Sequence, residues 1–386
     1  MIFEEALEKY IPLGQQILDW MNEHPETSKN EKKTSEYIID ILKQNDYKVT
    51  SPRARVRYSF SATRQTEAKS EKPKIAVICE YDAMEEIGHA CGHSASCAAS
   101  ILCALALEEA YPDFPFQIDI VGTPDEEIGG GKINMMAHGA FDDYQFAIVA
   151  QMNSENETYF KTLASCDLIV NFYGKEAHAT SNPLEGISAI NGLQLFFHAL
   201  DMRRVNLPQG DQIQSIICDG GKIPNVIPQK ATAYIYLRSN TIKRLLELKK
   251  EVGDCAVHCG AAVKNEVDFL QVNPEFAEIF VGEKEQKVIM DVMTELGMEC
   301  SGDNISRGSS DVGNLDVILP VFNPMVSIEA GNTALYTREF AEALKTESGT
   351  IGMKNGAKVM ANIIIKLAFE PETLAEIQKE HLEHRR

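Results

Sequence analysis

Apolar runs of strand length alternate with helical stretches along the first part of the chain, and this alternation restricts the fold more than any other feature. "KIAVIC" is followed by the Ala- and Leu-rich "SASCAASILCALALEEA", then "FQIDIVGT", the Gly-led "GGGKINMMAHGAFDD" and "QFAIVA". Strand, helix, strand, helix in that order predicts an α/β fold with a mixed, mostly parallel sheet flanked by helices. In such sheets ligands gather beyond the carboxyl ends of the strands.

A chain of 386 residues is too long for one compact core, which predicts two domains. From about Leu168 the texture changes to strands flanking the helices "ISAINGLQLFFHALDMRRV" and "TIKRLLELKKEVGDCAVHCG". This predicts a small inserted α+β domain over 167–273, with 1–166 and 274–386 forming the larger domain. The formal net charge of −20 argues against nucleic acid or an anionic membrane as partner. No apolar run approaches the ~20 residues of a membrane span, and the N-terminal stretch reads as an amphipathic helix and not a signal peptide. Nine Cys without regular spacing do not form a disulfide framework, so the expected home is a reducing cytoplasm.

Chemistry-capable residues fall in the loops after the strands. Glu80–Ser94 reads "EYDAMEEIGHACGHS", in which Cys91 and His93 have the C-x-H spacing of ligands for a borderline-soft cation such as zinc. After the next strand come Glu126 and Glu127, adjacent carboxylates with divergent directions. One can bind metal while its neighbour faces water, the arrangement of metal-assisted hydrolysis. Each pair also has a bland reading: a small buried thiol beside a loop His, and a solvated acidic pair. A third reading makes Cys91 a thiol nucleophile with His93 or His89 as its base. Gly129 to Gly131 lacks the GKS/T ending of a phosphate loop, and Cys255 to Cys259, "CAVHC", falls in a helical stretch that reads as packing.

Longer segments carry more. "EYDAMEEIGHACGHS", "GTPDEEIGGGKINMMAHGAFDD", "GKEAHAT", "GGKIPNVIPQKATAYIYLRS" and "GSSDVGN" resemble, in order, motifs of the zinc aminoacylase and carboxypeptidase clan. Within it, the likeness is to metallopeptidase family twenty, in the amidohydrolase subfamily that includes aminobenzoyl-glutamate hydrolases and HmrA-type peptidases. The resemblance implies a catalytic domain holding two metal ions, zinc or manganese, and an inserted lid that forms a homodimer or higher homo-oligomer. The implied reaction is hydrolysis of an amide bond in a small N-acyl amino acid or short peptide. By resemblance, Cys91, His93 and Glu127 are metal ligands, Glu126 is the general acid/base, and Asp82 orients a ligand. His178 would reach a neighbouring subunit's site to polarise the scissile carbonyl, and Asn225 and Arg238 would hold the substrate's carboxylate. Beside these roles stand a turn or cap residue for Asp82, interface packing for His178, shaping of the "IPNVIP" turn for Asn225 and a surface ion pair for Arg238.

Two positions depart from the family pattern. Where it has a His at the end of the next strand, this chain reads "AIVAQMN", with Gln151; where it has a His in a C-terminal loop, this chain reads "ALYTREF", with Tyr336. A neutral carbonyl oxygen and a neutral phenol are poor ligands for such cations, so affinity should fall, and the expected content is one or two ions per chain, a single ion on Cys91, His93 and Glu127 being one arrangement. The alternative is a catalytically impaired member that keeps its cleft to bind an amino-acid-like ligand or a protein partner.

Overall fold

The computed structural model describes residues 2–64, 72–302, 308–331 and 333–385. The chain divides into two compact units, Met1–Lys161 with Ile279–Arg386, and Thr162–Glu278. The first unit opens with α1 (Ile2–Glu23), α2 (Lys32–Gln44), β1 (Tyr47–Thr50), β2 (Phe60–Arg64) and β3 (Lys74–Glu80). It continues through α3 (His93–Ala110), β4 (Gln117–Thr123), α4 (Gly131–Met136), β5 (Tyr144–Ile148) and β6 (Gln151–Asn153).

The second unit contains β7 (Ala164–Tyr173), β8 (Ala177–His178), α5 (Ala189–Arg204), β9 (Gln212–Asp219), β10 (Val226–Ile227), β11 (Lys230–Ser239), α6 (Ile242–Ala262) and β12 (Glu266–Gln271). Its four-stranded sheet has the order β12-β7-β11-β9, and all three pairings are antiparallel. Along β11 buried and part-exposed residues alternate, as they must when helices cover one face of a sheet. Here α5 and α6 supply that cover, with Leu193, Phe196, Leu245 and Leu248 packed against Ala231, Ala233, Ile235 and Leu237.

The first unit resumes with α7 (Glu283–Glu295), α8 (Val312–Asp316), β13 (Val321–Phe322), β14 (Met325–Ser327), α9 (Arg338–Ala343), α10 (Glu347–Phe369) and α11 (Pro371–Arg385). Its main sheet has the order β1-β2-β4-β3-β5-β13. The β4–β3, β3–β5 and β5–β13 pairs are parallel, and the β1–β2 hairpin joins β4 antiparallel. The alternating strands and helices thus build the mixed, mostly parallel sheet that they predict. The hairpin is not legible in advance, because "YKVT" and "FSATR" are short and lack an apolar run.

Both faces of this sheet are covered. Ile75, Val77 and Cys79 of β3 enter one apolar core and Ala76 and Ile78 enter another, which is why the strand is apolar throughout. Helix α3 is buried from His93 to Leu107, and its Ala, Ser and Cys residues let α1, α10 and β3 approach closely. It starts abruptly because Gly92 takes φ +91°, and a Cβ there would come within 2.7 Å of Met152 Cβ. Among the described residues no helix is long and apolar enough to cross a membrane.

Candidate metal and catalytic site

The ends of parallel strands deliver the site. β3 ends at Glu80, so Asp82, Cys91 and the first helical residue His93 lie on the loop that joins it to α3. β4 ends at Thr123, just before Glu126 and Glu127, and Gln151 opens β6, which runs parallel to β14. Ligand atoms of Cys91, His93 and Glu127 lie within 4.8 Å of one another. Cys91 and His93 are buried at 3% and 2% exposure, and Glu127 Oε1 is a buried oxygen with no hydrogen-bond partner.

Asp82 sets the orientation of this group. Its main-chain oxygen lies 2.9 Å from His93 Nδ1 and its Oδ1 lies 3.2 Å from the same nitrogen. That leaves Nε2 as the ligand nitrogen, the usual consequence of an oxygen partner on the other side of the ring. Oδ2 of Asp82 accepts from Ser28 Oγ at 2.7 Å and from the main-chain N–H of Glu127 at 3.0 Å. One buried carboxylate therefore ties two of the three donors to the loop after α1. Burial opposes its charge, yet the hydrogen bond and charge of His93, with the hydrogen bonds from the Glu127 N–H and Ser28, together outweigh that and hold the Asp82 carboxyl down to about 2.

Burial pushes the Cys91 thiol up to about 12, partly offset by His93, and burial pushes Glu127 up to about 7, again against His93. A thiol, an imidazole and a carboxylate that converge with one oxygen unpaired form a soft-to-borderline S, N, O donor set, so these residues fit a zinc-type cation. Glu126 is raised well above the carboxylate range, first by burial and then by Glu127, Glu80 and Asp311. Its Oε1 accepts from Ser310 Oγ at 2.5 Å. The main-chain N–H of Val312 donates to that same Oγ at 3.2 Å, which directs the hydroxyl proton at Glu126.

A second carboxylate group, Glu80, Glu126 and Asp311, also converges within 4.8 Å. Here the cation is built in: Lys132 Nζ, fully buried, lies 2.6 Å from both Glu80 Oε1 and Asp311 Oδ1. Burial opposes the Glu80 charge, but Lys132, together with His93 and Gln151, lowers its pKa below the usual value. Sequence reasoning singled out neither Lys132 nor Asp311, although both stand inside quoted motifs. The signal for the first was a lysine immediately after a glycine run at the start of a helix.

The positions that depart from the family pattern both reach this site. Gln151 Nε2 donates to Glu80 Oε2 at 2.7 Å. A narrow opening is lined by Cys91, Glu126, Gln151 and Tyr336, with apolar walls from Phe160, Met325 and Leu335. Tyr336 is 42% exposed as a residue, while its hydroxyl stands at the enclosed end of the side chain. Burial and the neighbouring Glu127, Glu126 and Cys91 raise its pKa well above the phenol value.

The inserted unit holds the remaining sequence candidates. His178 is exposed and pairs in register with Val226, next to Asn225. Its Nδ1 accepts from the main-chain N–H groups of Thr180 and Ser181, both at 3.2 Å. Arg238 lies over the Tyr236 ring, 5.1 Å from its centroid, which is a ring contact in place of the surface ion pair. Lys230 and Arg238 stand at opposite ends of β11, about 27 Å apart at the ordinary strand rise. Asn225 immediately precedes β10, and Arg238 lies near the end of β11. The helical "CAVHC" segment lies within α6, with Cys255 half-buried and Cys259 buried.

Residues 71–366 match the model of peptidase family M20/M25/M40. The Xaa-Arg dipeptidase of Mus musculus is 31% identical over 327 residues, covering 80% of this chain and 73% of that protein. One of the subunits of the p-aminobenzoyl-glutamate hydrolase of Escherichia coli (strain K12) is 22% identical over 459 residues, covering 98% of this chain and 93% of that one. Among solved structures, a dinuclear metal binding peptidase of the M20 family from Bacillus subtilis has a TM-score of 0.70 at 15% identity, covering 94% of this chain and 99% of that one. At that identity the likeness shows the fold.

Proposed function

The chain is an enzyme of peptidase family M20/M25/M40, and from that premise we propose that it hydrolyses the amide bond of a small N-acyl amino acid or short peptide. Cys91, His93 and Glu127 would hold a divalent cation, zinc or manganese, and Glu126 would carry the proton. The observation that carries this reading is the convergence of three S, N and O donors, one oxygen unpaired, beside a separate buried carboxylate. When bound, the cation supplies polarisation of the scissile carbonyl and a lowered pKa for the attacking water.

The chain's own groups do the rest. Ser310 fixes Glu126 Oε1, which leaves Oε2 to take the water's proton. The raised pKa of Glu126 suits it to keep that proton and return it to the amine nitrogen as the C–N bond breaks. Phe160, Met325 and Leu335 exclude bulk water from the opening. The relatives, a dipeptidase and an aminobenzoyl-glutamate hydrolase subunit, support a short amide substrate.

His178 is proposed to act in a neighbouring subunit of a homodimer or higher homo-oligomer formed through the inserted unit. Because its Nδ1 accepts two main-chain hydrogen bonds, the neutral ring presents Nε2–H outward as a donor for a carbonyl oxygen. The free cysteines fit a cytoplasmic setting.

A second reading, a cleft kept to bind an amino-acid-like ligand or a protein partner, is favoured by the neutral side chains of Gln151 and Tyr336. It gives no role to a buried general base beside Cys91. Protein loaded with zinc or manganese should release free amine from members of a dipeptide and N-acyl amino acid panel and stop when a chelator is added. Binding of panel members without amine release would select the second reading.

A further inference from the structure

Tyr336 stands where the family pattern has an imidazole ligand, and its surroundings give it a different task. Its backbone is in the left-handed region, φ +62°, which is strained for a bulky residue. That conformation is held by a hydrogen bond from its N–H to Ala90 O at 2.9 Å, one residue before Cys91. The strained turn thus ties the tyrosine to the loop that carries the Cys91 and His93 ligands. Its side chain shares the opening with Cys91 and Glu126, the places between which a scissile carbonyl must lie.

A neutral phenol is a weak ligand for a zinc-type cation but a good hydrogen-bond donor. An ordinary phenol keeps its proton at neutral pH, so the hydroxyl is available as a donor. Gln151 supplies no second imidazole. Its amide N–H is committed to Glu80, whose other oxygen is held by Lys132, itself held by Asp311. The second carboxylate group therefore has its positive charge from a lysine. Polarisation of the carbonyl oxygen, which a second ion would share, is left to the protein.

Resting on the hydrolase reading above, we infer that Tyr336 is a catalytic residue whose hydroxyl donates a hydrogen bond to the scissile carbonyl oxygen, in a site that works with a single metal ion. The water oxygen bonds to the carbonyl carbon while its proton goes to Glu126. The carbonyl π pair moves onto oxygen, where the Tyr336 hydrogen bond strengthens without transfer of its proton. As the C–N bond breaks, Glu126 gives its proton to the departing nitrogen. A donor aimed at charge that develops only in the transition state acts on kcat more than on KM.

The test compares wild type with Tyr336→Phe, which keeps the ring and removes only the hydroxyl. Metal content per chain is measured by inductively coupled plasma mass spectrometry, beside steady-state kinetics and calorimetric affinity for a phosphinic dipeptide analogue of the tetrahedral state. The expected result is one ion per chain in both proteins, with kcat lower by about 10²–10³-fold and KM nearly unchanged. Affinity for the phosphinic analogue should fall alongside kcat. Two ions in wild type, loss of an ion in Tyr336→Phe, or unchanged kcat and analogue affinity would each overturn this inference and leave the hydrolase reading standing. No ion in either protein, even after loading, would overturn both.

Discussion

His93 Nδ1 lies 2.9 Å from the main-chain oxygen of Asp82 and 3.2 Å from its Oδ1, so one residue fixes the ring and leaves Nε2 facing the other donors. The same carboxylate takes the N–H of Glu127, and this makes Asp82 the support of two donors at once. Replacing it with Asn removes the charge and keeps the size and the main-chain oxygen. Asp82→Asn is expected to weaken metal affinity by about 10–100-fold, read by competition with a chelator of known affinity. Affinity equal to wild type would show that the ligands hold their places without it.

Glu31 provides a pH-dependent prediction away from the ligands. It is fully buried, Oε1 accepts from the Asp125 N–H at 2.7 Å, and Oε2 has no partner. Burial, with a smaller push from Asp82, raises its carboxyl to about 7, against about 4.3 in an unfolded chain. Between those values the native state binds the proton more tightly, so stability is lost as pH rises through this window and the loss is complete above the folded value. The loss amounts to at most about 4 kcal/mol. Glu31→Gln should therefore raise the thermal unfolding midpoint at about pH 7.5 and flatten its fall from about pH 5. A variant whose midpoint tracks wild type across that range would refute the assignment.

If His178 serves the neighbouring subunit, two variants that are each inactive can rescue one another. Mixing Glu126→Gln with His178→Ala chains under conditions that exchange subunits should restore up to about a quarter of wild-type activity, because half the mixed dimers' sites are intact. Additive residual activity with no rescue would place His178 outside the reaction or in its own chain's site.

How much of this was legible depended on sequence distance. Cys91, His93, Glu126 and Glu127 could be found because short loops after apolar strands carry them, and parallel strands bring such loops to one edge. The parallel part of the sheet was legible for the same reason: β3 alternates between two cores and so reads as an unbroken apolar run. Gln151 and Tyr336 were visible only as departures from a pattern. That they meet at one opening depends on β6 lying beside β14 and on the Tyr336 hydrogen bond to Ala90. The Lys132–Asp311 pair joins positions 179 residues apart, and no local periodicity reports such a contact.

The central claim is that a buried carboxylate moves the proton in a metal-dependent amide hydrolysis, and Glu126→Gln tests it most directly. Both proteins would be loaded to the same measured metal content and given the best substrate of the panel, with amine release followed under single-turnover conditions. The account predicts equal metal content and a rate lower by about 10²–10⁴-fold in the variant. Amine release at the wild-type rate from Glu126→Gln, with metal content unchanged, would contradict it.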